Sequence, residues 1–289
     1  MENEEDILKK YNLSKEEHDK IGKQIIELML KDKYPVKNPK AIINIAPPAS
    51  GKTGLNAYSY NQFKDGNVVI INSDELKPFH PKIEEIAKLY PQYYTKITDQ
   101  ESNTWTSNLF DTVLKEGYNV IFEGTGKNSR ILGTISEKMN DYDVVVRGMA
   151  VSKLNCLMSI LERYEYQVQT KGWGRLVVLD HFEQTYKGMP ETINEIEKSK
   201  IVSAVEVYKR GTTPFEPQLI YNSLNIKDFN SNNAKYSVLQ GRNEDGKKAL
   251  VYYKKHQDFF NILKNKNVPA LNQILNSISD IVQKQTGER

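Results

Sequence analysis

The stretch AIINIAPPASGKTGL, residues 41–55, sets a short apolar run just ahead of the triplet Gly51-Lys52-Thr53. The run at 41–46 is rich in β-branched residues, as is typical of a buried strand, and the residues from Lys52 onward can form a helix. A loop between a strand and a helix presents backbone N–H groups to an anion. The stretch therefore predicts a phosphate-binding loop, although an ordinary strand–turn–helix junction with a surface lysine could contain the same triplet.

If the loop holds ATP, Lys52 would reach the β and γ phosphates and the Thr53 hydroxyl would hold Mg²⁺. The residues that we expect to bind the nucleotide are Ala49, Ser50, Gly51, Lys52, Thr53 and Gly54. Ala46 and Ala49 occupy positions where glycine is usual in such loops. Alanine in the left-handed region costs on the order of 1 kcal/mol, so we expect reduced affinity rather than loss of the site.

The composition is that of a globular protein with balanced charge. Of the 289 residues, 38% are hydrophobic and 27% charged, and the net charge is +3. No dense basic block suggests nucleic acid, and no apolar run approaches the roughly 20 residues that span a bilayer. The acidic start MENEEDILKKY lacks the apolar core of a secretory signal. We therefore expect a cytoplasmic protein with neither a membrane nor a nucleic-acid partner.

Strand-like and helix-like segments alternate along the first 211 residues. Strands are predicted at 41–46, within 66–76, at 118–126 and at 143–151. Helices are predicted at 14–34, 52–63, 81–91, 102–116, 129–141, 153–169, 178–188 and 189–209. Ser14 and Glu17 form a plausible capping box for the first helix. The alternation indicates an α/β fold, a parallel sheet with helices on both faces, preceded by an N-terminal helix.

The chain changes character from about residue 212. Possible strands lie at 218–223 and 248–253, an Asn-rich turn at 228–235, and two helices end the chain. We expect a core with a helical preface at 1–211 and a small α+β extension packed on it at 212–289.

Polar residues follow the second and third predicted strands, at the edge of a parallel sheet where ligands bind. Asp74 comes just after the second strand, and its carboxylate could accept a hydroxyl proton during phosphoryl transfer or help to order Mg²⁺. Glu123, Thr125 and Lys127 emerge at the end of the third strand, where a glutamate can bind a metal-bound water or a substrate hydroxyl. The alternative is that Asp74 caps the next turn and Glu123 is an ordinary strand-end polar group.

Two arginines lie in the segment ILERYEYQVQTKGWGR, residues 160–175. Arg163 is on a predicted helix and Arg175 follows a Gly-Trp-Gly turn. A guanidinium fork matches phosphate oxygens, so the pair would suit charge stabilisation during phosphoryl transfer. Arg163 also stands between Glu162 and Glu165, which fits a surface ion pair equally well.

The remaining reactive residue types give no competing site. The four histidines, His18, His80, His181 and His256, show no metal-ligand spacing. This disfavours both a metal cluster and a Ser-His-Asp hydrolase. The single cysteine, Cys156, excludes an internal disulfide and is expected to be a small core residue.

Together these segments resemble the zeta toxin family, bacterial kinases that are paired with epsilon-type antitoxins. The similarity runs from the N-terminal helix to about residue 222. It is carried by four motifs in order: SGKT (50–53), SDELKPFHP (73–81), GYNVIFEGTG (117–126) and MAVSKLNCLMSILERYE (149–165). Four motifs at family spacing are far more specific than any one of them.

The resemblance implies a P-loop kinase-like fold and an activity. The family uses ATP and Mg²⁺ to phosphorylate UDP-N-acetylglucosamine on the sugar 3′-hydroxyl, which depletes a peptidoglycan precursor. By resemblance, Lys52 and Thr53 take phosphate and Mg²⁺, and Asp74 is the general base. An epsilon-type antitoxin that blocks the nucleotide cleft is implied as a partner.

The resemblance also assigns the other polar residues. Arg163 and Arg175 become the pair that stabilises the transferring phosphate, completing a catalytic set with Lys52 and Asp74. Glu123 and Thr125 would face the sugar nucleotide, and Lys127 and Asp74 complete the expected substrate-binding set.

Two departures concern the acceptor. Ser107 stands where the family has a substrate-contacting glutamate, and Lys127 where an arginine is common; Arg130 could substitute for that arginine. Other hydroxyl acceptors therefore stay open: a nucleoside, a dinucleotide, an antibiotic or a polynucleotide end. Because the loop carries alanines, binding of a nucleotide or a partner without turnover stays open as well.

Overall fold

A computed structural model describes residues 3–63, 65–213, 215–225, 233–266 and 268–287. At its centre is one six-stranded sheet with the order β2-β3-β1-β4-β5-β6. The strands are β1 (Lys40–Ile45), β2 (Val69–Ile71), β3 (Val120–Gly124), β4 (Asp143–Met149), β5 (Ala204–Lys209) and β6 (Gln218–Asn222). The first five are parallel, and β6 runs antiparallel to β5. The predicted parallel α/β sheet is confirmed.

Helices cover both faces of this sheet. They are α1 (Glu4–Tyr11), α2 (Lys15–Leu30), α3 (Lys52–Tyr60), α4 (Ser73–Leu76), α5 (Ile83–Leu89), α6 (Tyr94–Glu116), α7 (Arg130–Lys138), α8 (Lys153–Lys171), α9 (Leu179–Ser199), α10 (Ala234–Lys255), α11 (Gln257–Lys264) and α12 (Pro269–Thr286). A short 3-10 helix, Lys77–Phe79, follows α4. The predicted capping box at the start of α2 is present, since Ser14 and Glu17 bond to each other's backbone N–H.

The alternation of side chains along the strands divides the core. Ile43 and Ile45 face a large apolar cluster with residues of α2, α6, α7 and α9. Ile42 faces the opposite side, in a small cluster with Val68 and Ile121. A further cluster joins residues of α3, α8, α11 and α12 to the ends of β4 and β5. The buried, β-branched character of β1 is what places it at the centre of the sheet, between β3 and β4.

The prediction of two helices at 178–188 and 189–209 is wrong. One helix, α9, runs through this boundary, and the strand β5 occupies 204–209. Pro190 lies inside α9 and removes the N–H that would bond to the carbonyl of Tyr186. Arg242 on α10 donates to that carbonyl instead, at 2.9 Å, so the helix continues without an unpaired acceptor.

The segment after residue 212 is joined to the main sheet. Its predicted strand at 218–223 is confirmed as β6, which pairs with β5. The predicted strand at 248–253 is wrong, because these residues form part of α10, and two helices follow it as expected. Residues 228–232 of the predicted Asn-rich turn lie outside the described residues.

The order of the strands creates the crevice where ligands bind in such sheets. The chain leaves β1 and forms β2 and β3 on one side of it, then β4 and β5 on the other. Crevices form at the carboxyl ends of strands where the order switches in this way. Asn44 pairs with Glu123, so the ends of β1 and β3 bring the loop after β1 next to the polar residues after β3.

None of the helices in the described part of the chain is long and apolar enough to cross a membrane. Among the same residues, no group of three or more His, Cys, Asp or Glu side chains could hold a metal ion.

Candidate active site

The loop between β1 and α3 has the backbone shape of a phosphate-binding loop. Gly51 has φ of 103° and Ala49 has φ of 58°, both in the left-handed region. Ala49 therefore carries the strain that the sequence predicts, about 1–2 kcal/mol for an L-residue. Helix α3 starts at Lys52 with Gly51 as its N-cap, and no side chain caps it. Its first N–H groups are consequently available to an anion.

Lys52 points back over this loop. Its Nζ donates to the carbonyl of Ala46 at 3.1 Å and lies 3.6 Å from Glu123 Oε1. Both contacts keep the ammonium group of Lys52 beside the loop, where it could exchange them for a phosphate oxygen. The structure thus brings together two residues that belong to different strand–loop units of the sequence, the first for Lys52 and the third for Glu123.

Glu123 is fixed by two amide side chains. Its Oε2 accepts hydrogen bonds from Asn56 Nδ2 at 2.6 Å and from Asn72 Nδ2 at 3.1 Å. Asn56 is buried on α3 and also accepts from the fully buried Asn44 at 2.7 Å. With Oε2 occupied, Oε1 is the oxygen that faces Lys52. We did not anticipate the two asparagines, because an amide in a helix or at a strand end has many equally common roles.

The two hydroxyl groups of the loop have different surroundings. Ser50 is buried, and its Oγ donates to the carbonyl of Pro47 at 2.7 Å, so this hydroxyl serves the loop itself. Thr53 is exposed on the first turn of α3, beside the buried Gly54. Thr53 is therefore the hydroxyl of this pair that a metal ion at the loop could reach.

Asp74 lies on the first turn of α4, where its backbone N–H is capped by the side chain of Asn72. Its carboxylate receives two bonds from Arg175, Nη1 to Oδ1 at 3.1 Å and Nη2 to Oδ2 at 2.9 Å. Lys77 Nζ lies 2.8 Å from the same Oδ1. Burial alone would raise the pKa of Asp74, but the charges of Arg175 and Lys77 outweigh it and hold the pKa well below its ordinary range. Asp74 is an anion at neutral pH.

Arg175 lies in the loop after α8, close to Arg163 on that helix. Gly174 allows the approach, because a Cβ there would lie 2.6 Å from the carbonyl of Tyr164. Arg175 Nε is buried and has no hydrogen-bond partner among the described residues. Arg163 is exposed, and partial desolvation and repulsion from Arg175 lower the pKa of its guanidinium. The negative charge of Asp74 therefore acts on both arginines. The Nε group of Arg175 remains an unused donor.

Thr125 and Lys127 lie in the loop between β3 and α7 and line a cavity of ≈ 340 Å³. The lining of this cavity also includes the apolar Ile45 and Phe122 and the cationic Arg130. The adjoining Gly188 permits α9 to pack on this loop, since a Cβ there would lie 2.1 Å from the carbonyl of Lys127. Ser107 is exposed on α6.

Three further residues lie near the site, and the sequence does not predict a role there for any of them. Lys77 is buried beside Asp74, and Arg210, just after β5, donates to the carbonyls of Ala49 at 2.6 Å and Ser50 at 3.3 Å. His181, on the first turn of α9, has its pKa lowered by burial and by the charges of Lys127 and Lys52. No sequence signal points to Arg210, because the residues before it are predicted as a helix at 189–209 and only the structure shows that they end the strand β5.

Comparisons with known proteins show which family the sequence matches. The family model described as Zeta toxin matches residues 26–223. The Toxin zeta of Streptococcus agalactiae is 29% identical over 213 residues, which cover 73% of this chain and 72% of that protein. The Toxin zeta of Streptococcus pyogenes is 27% identical over 202 residues, 69% of this chain and 68% of that protein.

Solved structures share the fold. The structure of the PezAT chromosomal toxin–antitoxin system of Streptococcus pneumoniae superposes with a TM-score of 0.67 at 19% identity, over 91% of this chain and 98% of that one. The crystal structure of AvrRxo1-ORF1 and AvrRxo1-ORF2 with ATP superposes with a TM-score of 0.51 at 13% identity, over 72% and 66%. The sheet is that of a P-loop kinase-like protein. Because the family model spans more than half of the sequence, the chain belongs to the zeta toxin family.

Proposed function

We propose that this protein transfers the γ-phosphate of ATP to a hydroxyl group, and that its acceptor is the sugar 3′-hydroxyl of UDP-N-acetylglucosamine. One observation carries the proposal. An anionic carboxylate, Asp74, lies at the same sheet edge as the loop of Lys52 and is held by a guanidinium, Arg175, that still has an unused donor. Phosphoryl transfer depends on this combination of positioning and charge, more than on covalent chemistry.

The leaving phosphates would be held by the loop and by Lys52. The open N–H groups at the start of α3 face the anion, and Lys52 can exchange its contacts with Ala46 and Glu123 for phosphate oxygens. Arg175 and Arg163 would neutralise the charge that spreads over the transferring group. The buried, unpartnered Nε of Arg175 fits a phosphate oxygen, because an unused buried donor is costly without an acceptor.

The exposed hydroxyl of Thr53 and Oε1 of Glu123, once Lys52 has turned to a phosphate, are the groups that would hold Mg²⁺, directly or through water. When bound, the ion would neutralise part of the charge of the phosphates.

Asp74 would orient the acceptor hydroxyl and take its proton. The acceptor O–H bond breaks as the new O–P bond forms, the proton passes to a carboxylate oxygen of Asp74, and ADP leaves. While Arg175 and Lys77 contact Asp74, its pKa lies well below the ordinary range and the carboxylate is a weak base. Movement of Arg175 to the phosphate would remove one of these positive charges and make Asp74 a better acceptor of the proton.

The cavity beside the loop after β3 supports an anionic acceptor. Its lining includes Lys127 and Arg130, Thr125 offers a hydroxyl, and none of the lining residues in the described part of the chain is Asp or Glu. Such a lining suits a nucleotide-linked sugar better than a cationic antibiotic. The exposed Ser107, at a family glutamate position, favours the second candidate, a kinase for a different anionic hydroxyl acceptor such as a dinucleotide.

We also propose that an epsilon-type antitoxin covers this cleft. The solved PezAT structure is of a toxin–antitoxin system, and the AvrRxo1 structure contains AvrRxo1-ORF1 with AvrRxo1-ORF2. We expect the protein to act in the cytoplasm, where ATP and nucleotide-linked sugars are found.

The test is an acceptor panel. The protein is incubated with Mg²⁺ and γ-labelled ATP together with UDP-N-acetylglucosamine, other UDP-sugars, nucleosides or NAD. Lys52→Ala serves as the inactive control, and calorimetry measures MgATP binding. We expect label in UDP-N-acetylglucosamine only. Label solely in another acceptor would replace the substrate, and the absence of MgATP binding at millimolar concentration would overturn the kinase proposal.

A further inference from the structure

The ammonium group of Lys77 is buried between two carboxylates beside the candidate site. Only 2% of its side chain is exposed, and its Nζ lies 2.8 Å from Asp74 Oδ1 and 2.6 Å from Asp99 Oδ1. Lys77 follows Asp74 by three residues, which puts both side chains on the same side of the short helical segment. A buried lysine needs partners that replace its lost hydration, and the two carboxylates do so.

Asp74 therefore has two cations, and they are held differently. Arg175 comes from the loop after α8, and its guanidinium contacts both oxygens of Asp74. Lys77 contacts only Oδ1 and has a second carboxylate, Asp99 on α6, that keeps it in place. If Arg175 turns to a phosphate, Lys77 stays on Oδ1, and Oδ2 becomes free to accept a proton.

We infer that Lys77 is a positioning residue, which holds Asp74 so that its Oδ2 faces the acceptor hydroxyl after Arg175 has moved to the phosphate. This inference rests on the proposed function, because it needs Asp74 to work on an acceptor. Lys77 itself touches neither ATP nor the acceptor. It acts through Asp74, and Asp99 anchors it from the neighbouring helix.

A double-mutant cycle tests whether Lys77 acts through Asp74. We expect Lys77→Met to lower kcat at least about tenfold while KM for MgATP changes less than about twofold. Lys77→Arg, which keeps the charge, should restore most of kcat. In an Asp74→Asn background, Lys77→Met should add less than about a twofold loss. Losses that multiply, or a Lys77→Met protein with normal kcat, would overturn the inference.

Lys77→Met leaves the carboxylates of Asp74 and Asp99 close together without the cation that lies between them. The folding of this variant must therefore be checked. Asp99→Asn together with Lys77→Met removes one of these charges, and Asp99 is half-exposed and tolerant of change. We expect the double variant to show the same tenfold loss of kcat. Asp99→Asn alone should keep at least about a third of the wild-type kcat. Thermal unfolding of each variant separates a positioning effect from a loss of structure.

A titration of Asp74 by carboxyl-carbon NMR gives a readout that needs no acceptor. Other charged or titratable groups face Asp74 from its own and neighbouring elements: Glu75 on α4, Tyr94 on α6, Arg163 on α8 and His181 on α9. These and Arg175 are unchanged in Lys77→Met, and the same titration in Lys77→Met with Asp99→Asn removes the uncompensated charge of Asp99, so the two together isolate Lys77. We expect the midpoint of Asp74 to rise by about one pH unit or more. An unchanged midpoint of Asp74 would overturn the inference, whatever the acceptor panel shows. Failure of every acceptor in the panel would count against the proposed function alone.

Discussion

Arg175 and Asp74 form a two-point ion pair that joins the loop after α8 to α4, with Nη1–Oδ1 at 3.1 Å and Nη2–Oδ2 at 2.9 Å. The pair occupies both groups that the proposed reaction needs elsewhere, one on the phosphate and one on the acceptor hydroxyl. The unpartnered Nε of Arg175 can meet a phosphate oxygen while the pair is intact, but Oδ2 of Asp74 becomes available to an acceptor only when the pair opens. We therefore expect MgATP to open the pair through a shift of the loop that carries Arg175.

Trp173 reports that shift, because it lies two residues before Arg175 and packs against Tyr94 with ring centroids 5.5 Å apart. We expect MgATP to change the tryptophan fluorescence of the wild-type protein. Trp173→Phe should abolish the change, since the other tryptophan, Trp105, is buried in the core away from this loop. An equal change in Trp173→Phe would mean that the loop does not respond to the nucleotide.

Arg210 braces the strained loop through the carbonyls of Ala49 and Ser50. Arg210→Gln should weaken MgATP binding by about tenfold, because a hydrogen bond from a charged donor contributes about 1.5–3 kcal/mol. Lys209→Gln is the matched control, since Lys209 pairs with the exposed Glu244 away from the loop. Calorimetry decides between them: equal affinities in both variants would show that the brace is unimportant.

Gly51 depends on its left-handed backbone, not on lack of space. A Cβ there would meet Met149 only at 3.5 Å and Arg210 at 3.7 Å, yet φ is 103°. We expect Gly51→Ala to weaken MgATP binding at least about tenfold, because the strain of about 1–2 kcal/mol distorts the phosphate loop. Gly172→Ala, with φ of 78° and open space around it, carries similar strain at the end of α8. Gly172→Ala should lower thermal stability without a comparable loss of MgATP affinity. If both variants lost the same affinity for MgATP, the backbone conformation of Gly51 would have no specific role in binding.

His181 provides a pH-dependent probe of the cleft. Burial and the charges of Lys127 and Lys52 lower its pKa, so the neutral form is favoured in the folded state. Any stability linked to this shift is present above the ordinary value near 6.5 and is lost as the pH falls through the lowered pKa. By histidine NMR, Lys127→Gln should raise the midpoint of His181, and MgATP should raise it too. A midpoint unaffected by both would place His181 outside the cleft.

Asn56 links Glu123 to the buried Asn44 beneath α3. Asn56→Ala should reduce the free energy of unfolding by about 1–3 kcal/mol, because both partners lose a hydrogen bond in a buried place. It should also lower phosphate transfer, since Glu123 is then held by Asn72 alone. The exposed Asn61, at the end of the same helix, offers Asn61→Ala as the control for urea unfolding. Equal stability of the two variants would contradict the role of Asn56.

The sequence predicted the central strands and the loop because their signals are local. The β-branched run at 41–46, the capping box of Ser14 and Glu17, and the polar residues after β3 all follow from neighbouring residues. The convergence of Lys52, Asp74 and Glu123 could be predicted as well, because parallel strands present their carboxyl ends at one edge. The catalytic and binding roles given to these residues remain predictions.

Features that depend on distant partners were missed. Residues 204–209 become a strand because β4 and β6 flank them, and residues 248–253 become helical within α10 despite their β-branched and aromatic side chains. Lys77 looks like a solvent-exposed lysine until α6 brings Asp99 to it. Arg210 reaches the loop after β1 because β4 alone separates β1 from β5, and Arg210 follows the end of β5.

The transfer of labelled phosphate by Asp74→Asn tests the proposed reaction most directly. Asparagine keeps the size of the side chain but cannot accept the acceptor's proton or pair as an anion. With γ-labelled ATP and UDP-N-acetylglucosamine, we expect the wild-type protein to form a 3′-phosphorylated product. Asp74→Asn should form it at least about 100-fold more slowly, with MgATP affinity within about threefold by calorimetry. Full turnover by Asp74→Asn would contradict the role of Asp74 in the reaction.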